Sequence, residues 1–118
     1  MMNTHPPEKA VLLGVWKLDH FKHAANGVIY QYSDILMFSK RYYSNFQADR
    51  SEADSIRCHM GMYKMAQDTV TFQIQISNDL SAIGSVATGN YRITGITLEI
   101  TFDHGAMPGT WIYKRLSD

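Results

Sequence analysis

The stretch Thr69 to Ser77, TVTFQIQIS, decides the fold. Val70, Phe72, Ile74 and Ile76 alternate with Thr71, Gln73 and Gln75, so one face of an extended chain is apolar and the other polar. TLEITFD repeats the pattern with Leu98, Ile100 and Phe102. This clean alternation belongs to antiparallel sheets, because parallel strands covered on both faces read as continuous apolar runs.

Outward from this stretch, turn signals recur at short intervals: Asn26-Gly27, Gln67-Asp68, Thr94-Gly95 and the Pro108-containing segment from His104 to Gly109. Asn-Gly between two strand-like runs predicts a hairpin with a type I′ turn, in which both central residues take positive φ. Strands are predicted at 14–23, 28–33, 35–39, 42–47, 56–65, 69–77, 86–93, 96–103 and 109–116. Residues 1–7, polar and broken by proline, form a flexible N-terminal segment, and Glu8 to Leu13 has room for one helical turn. Residues 8–118 then make a single all-β domain. Eight or nine strands in an antiparallel up-and-down meander avoid exposed edges by closing into a small barrel.

The chain has 118 residues, the scale of one modest core. Lysine plus arginine equal aspartate plus glutamate at 11 each, so no net field draws the chain to nucleic acid or to an anionic membrane. One cysteine, Cys58, allows no internal disulfide, and with no signal-like N-terminus this points to the cytoplasm. No apolar run approaches the roughly 20 residues that span a bilayer. Neutral charge and high apolar content for so short a chain suggest a homodimer. Metal and cofactor signatures are absent: His20 and His23, the one close histidine pair, are three apart and point to opposite faces of a strand.

The termini add a second line. LLGVWKL near the start, Gly61-x-Tyr63 and Gly89-x-Tyr91 within the meander, and GTWIYKRL near the end together resemble the lipocalin-like (calycin) proteins, in particular short bacterial lipocalin-like domains. The resemblance implies that Gly14-x-Trp16 plugs one barrel end and that Arg115, or alternatively Lys114, lies across the indole. A guanidinium over an indole gains roughly 0.5 to 2 kcal/mol.

With Trp16 inward, alternation turns Leu18 and His20 inward, and groups Arg57, His59, Gly61 and Tyr63 on one face. Phe72, Ile74, Tyr91, Leu98 and Ile100 then line the lumen. Trp16, Leu18, Tyr30, Tyr32 and Tyr113 complete the expected ligand-binding set. His20, His59 and Tyr63 are the candidates for hydrogen bonding or acid–base work at the ligand's polar end. Three functions fit this arrangement: binding of a small apolar or aromatic molecule, cofactor-independent cyclisation or isomerisation of a small hydrophobic, polyketide-like substrate by confinement, or a lumen filled by the protein's own side chains.

Overall fold

The computed structural model describes residues 11–31, 33–48, 56–104 and 108–117, the last without its side chain. Nine strands follow in order: β1 (Gly14–His23), β2 (Ile29–Tyr30), β3 (Ser33–Phe38), β4 (Tyr42–Ala48), β5 (Ile56–Ala66), β6 (Thr69–Ser77), β7 (Val86–Thr94), β8 (Thr97–Phe102) and β9 (Gly109–Ser117). From β3 to β9 each strand pairs antiparallel with the next, while β1 pairs with both β3 and β9. Eight strands therefore form a closed antiparallel barrel. The ninth, β2, adds only two residues, paired with Phe21 and Lys22 of β1.

The meander and its closure match the sequence reading, and most strand bounds agree within a residue or two. Two local differences matter. The strand expected over 28–33 is reduced to Ile29–Tyr30, and the break expected at Asp34 is absent, because Ser33 and Asp34 already pair with Ala48 and Gln47. The Asn26-Gly27 turn is also wider than a type I′ turn. His23 N–H donates to Val28 O and Gly27 N–H to His23 O, and of the two turn residues only Gly27 takes positive φ, 67°. The flexible segment expected over 1–7 lies outside the described residues, as does the first half, 8–10, of the helical turn expected over Glu8 to Leu13.

Among the described residues, pairing slips three times, each time by one extra residue: once at Leu116 of β9, between Val15↔Ser117 and Trp16↔Arg115, and twice further inside the strands. Leu18 pairs with Tyr113 but His20 pairs with Ile112, leaving Asp19 as a bulge in β1. Beyond it Phe21, not His20, is the buried residue. Between β5 and β6, Met60 pairs with Ile76 and Gly61 with Ile74, so Gln75 is the extra residue. Ile76, expected on the apolar face, is consequently exposed, and Ser77 is buried in its place.

The core runs along the axis: Leu12, Trp16, Leu18, Leu36, Phe38, Tyr63, Val70 and Leu98 join Tyr43, Phe72, Ile100 and Tyr113 in one cluster. Trp16 is fully buried and closes one end. Its Nε1 donates to Leu12 O at 2.9 Å, and the Arg115 guanidinium carbon lies 4.2 Å from the ring centroid. Arg115 also donates from Nη1 to Leu13 O and from Nη2 to Val11 O, each at 2.7 Å. Three successive carbonyls thus hold the indole and guanidinium together. The alternative, Lys114, instead reaches Thr97 Oγ1 at 2.8 Å on the exposed face. Gly14 opens β1 with φ 119°, a value that favours glycine.

Candidate functional site

Filling one barrel end with Trp16 leaves space toward the other. There the sheet encloses a cavity of about 280 Å³. Inward positions of β3, β4, β5, β6, β7, β8 and β9 each contribute, following the period-two rule. Leu36, Tyr43, Phe72, Ile74, Ala87, Ile100, Phe102 and Trp111 make the apolar surface, and Asp34, Asn45, Gln47, Arg57, His59, His104 and Tyr113 bring polar groups.

Asp34 dominates the polar side. It is 3% exposed, two positions before Leu36 on the inward face of β3. Its Oδ1 accepts hydrogen bonds from Asn45 Nδ2 at 2.7 Å and Tyr113 Oη at 3.1 Å, and its Oδ2 accepts from Gln47 Nε2 at 3.0 Å. Register explains the convergence, since Asp34 lies directly across from Gln47 and one step from Asn45. Burial raises the Asp34 pKa to about 6, against the lowering effect of Asn45, Tyr113 and Gln47. The carboxyl therefore changes charge just below neutral pH. Burial, with the nearby Asp34 carboxylate, pushes the Tyr113 hydroxyl well above its ordinary value, so Tyr113 stays a neutral donor. Burial also pushes Tyr43 up to about 12.

His59 presents a different environment. Burial first, then the Arg57 charge, lowers its pKa, with Asp79 opposing. The imidazole is accordingly neutral at pH 7. Its Nδ1 is buried and, among the described residues, is the one buried side-chain polar atom without a hydrogen-bond partner. Such an atom costs about 1 to 3 kcal/mol unless something occupies it.

Of the residues expected from the sequence, His59, Phe72, Ile74, Ile100 and Tyr113 meet in this cavity. Trp16, Leu18, Leu98 and Tyr63 are buried in the core outside its lining. Tyr63 donates to Ser39 O at 2.7 Å and packs edge-on against Phe38, a structural position. Tyr91 is half-buried and its hydroxyl turns to Gln67 O, while Tyr30 stacks on Phe21 with centroids 6.2 Å apart. Tyr32 lies outside the described residues. The structure sets His20 outside the cavity, where its Nδ1 meets Asp19 Oδ2 at 2.7 Å, because the bulge at Asp19 reverses the phase of the strand.

Sequence reasoning passed over Asp34, Asn45, Gln47, Tyr43 and Trp111. A signal existed for Asp34: counting back by two from Phe38 and Leu36 places it on their face. The described residues hold no group of three or more histidine, cysteine, aspartate or glutamate side chains arranged for a metal ion. No helix among them is long and apolar enough to cross a membrane.

Two solved structures share this architecture. A lipocalin-like protein from Bacteroides uniformis ATCC 8492 superposes with a TM-score of 0.68 at 12% identity, over 89% of this chain and 98% of that one. An uncharacterized protein from Bacteroides eggerthii DSM 20697 gives a TM-score of 0.64, also at 12% identity, over 88% of this chain and 98% of that one. No protein-family model and no curated protein matches the sequence. At such identity the likeness establishes the fold, a lipocalin-like barrel, and leaves function to the site itself.

Proposed function

We propose that this lipocalin-like barrel binds a small, largely apolar molecule in its lumen and orients it through Asp34. The observation that carries the reading is a nearly inaccessible carboxyl, held by Asn45, Gln47 and Tyr113, in the wall of a cavity whose other side is apolar and aromatic. Apolar surface supplies affinity and a few fixed polar groups supply orientation, the usual division of labour in small-molecule sites. The volume, at the low end of such sites, favours a ligand of three rings or fewer.

The two tryptophans make the reading directly testable, because Trp111 lines the cavity and Trp16 does not. Titration with the neutral probe N-phenyl-1-naphthylamine is expected to quench Trp111 and brighten the probe. Trp111→Phe should remove the quenching while the probe still brightens. Failure of this probe and of a panel of smaller apolar aromatics to bind defeats the reading.

A second reading, a cofactor-independent cyclase or isomerase, draws support from one feature. A carboxyl with a pKa of about 6 can take or give a proton near neutrality. In that case Asp34, beside the neutral donor Tyr113, performs the acid–base work. Asp34→Asn then abolishes turnover of a candidate substrate while retaining its affinity, whereas an absence of turnover on every bound molecule leaves a carrier.

A further inference from the structure

We propose that the molecule held in the lumen is an amine, carried as its ammonium ion on a small aromatic or alicyclic body, with the Asp34 carboxylate as its counter-charge. This inference rests on the binding reading and names the ligand class.

The argument begins with incomplete compensation. A carboxylate taken out of water needs strong partners, and a buried charge normally has an opposite charge beside it. Asp34 has three hydrogen bonds, but Asn45, Gln47 and Tyr113 are all neutral donors. A carboxylate offers about four acceptor positions. Two on Oδ1 and one on Oδ2 are filled, which leaves Oδ2 able to accept one more hydrogen bond.

The cavity surface completes the case. Tyr43, Phe72, Phe102 and Trp111 line it together with Tyr113. Aromatic faces attract a cation, most strongly one that has lost its water. Neither a neutral alcohol nor an anion draws on both features: the alcohol leaves the carboxylate charge uncompensated, and the anion is repelled by it. The unpartnered His59 Nδ1 in the same lining is a neutral acceptor when its proton sits on Nε2, suited to another N–H of the ligand.

Charged and titratable groups reach the lumen from several elements. Tyr43 on β4, Arg57 and His59 on β5, His104 beyond β8 and Tyr113 on β9 share the lining with Asp34. Arg57 is exposed and lowers the pKa of Asp79, so its charge is felt outside the lumen as well. Because His59 and His104 share the lining, an Asp34 variant is needed to assign any midpoint to the carboxyl.

Calorimetric titration of the full chain with phenethylamine, phenethyl alcohol and phenylacetate tests the proposal. At about pH 8 the amine should bind at least roughly ten-fold more tightly than the alcohol, with phenylacetate weakest. At about pH 4.5 the amine is still an ammonium ion but Asp34 is protonated, and the advantage should disappear. Asp34→Asn should erase the preference at pH 8, and if that variant does not fold, His59→Gln and His104→Gln proteins that still lose the preference between pH 8 and pH 4.5 assign the loss to the carboxyl. Equal binding of amine and alcohol at both pH values overturns the ammonium assignment and leaves the binding reading intact. An amine preference unchanged by pH, or unchanged in a folded Asp34→Asn protein, overturns Asp34 as the counter-charge. If none of the three binds and N-phenyl-1-naphthylamine does not either, the binding reading itself fails.

Discussion

Asp34 shows how one residue can carry a site and yet be hard to see in a sequence. The pair Ser33-Asp34 has the composition of a turn, and the chain around it reads as two short strands broken there. In the barrel it is the start of β3, and cross-strand pairing with Gln47 turns the carboxyl inward. Its stability effect has a definite sign. The carboxyl's pKa is raised from 3.8 to about 6, so the native state holds the proton more tightly than the unfolded chain. The resulting stabilisation is fully present below about pH 3.8 and is lost as pH rises through about 6. Across that window the wild type should lose on the order of 3 kcal/mol relative to Asp34→Asn. His59, whose pKa is lowered, acts in the opposite sense and destabilises the fold as pH falls. Urea denaturation of both proteins at each pH isolates the Asp34 part, since His59 cancels in the difference. A difference that stays flat between pH 4 and 7 refutes the shifted carboxyl.

Elements were the most legible scale. Alternation in TVTFQIQIS and TLEITFD, punctuated by turn residues, located the β6 and β8 strands almost to the residue. Single inserted residues were invisible, because Asp19 and Gln75 look like any outward polar position until their partners are known. Each reverses every later side chain on its strand, which is why His20 and Ile76 turned out the other way. Gly61 sits where β6 makes its slip. A Cβ at Gly61 would run into the backbone oxygen of Gln73, so no side chain fits between the two strands. Gly61→Ala should cost about 2 kcal/mol or more, although replacing glycine by alanine in an ordinary strand usually helps. Thermal unfolding at or above the wild-type midpoint would show that the strands are not in this close contact. By contrast, His20→Ala should leave probe affinity unchanged, for the imidazole only pairs with Asp19 on the outer surface.

For the molecule as a whole, the terminal motifs proved as informative as the strand pattern. Gly14-x-Trp16 and Arg115 pointed to a sealed end, and the structure joins them through Val11, Leu12 and Leu13 carbonyls. The open end was harder to anticipate, since its lining draws one to three residues from each of seven strands and no local pattern marks them. Trp16→Ala should destabilise the protein by about 3 to 5 kcal/mol, as large aromatic deletions in cores do. Equilibrium denaturation showing less than about 1 kcal/mol of change would contradict the sealing role. Arg115 reaches Leu13 across 102 positions of sequence, and β1 finds its partner in β9. During translation β1 leaves the ribosome first and β9 last, so the nascent chain carries β1 with an unpaired edge until almost all of the barrel has been made. Closure therefore waits for β9, and until then the growing chain must be kept from pairing that edge with a neighbour on the same polysome.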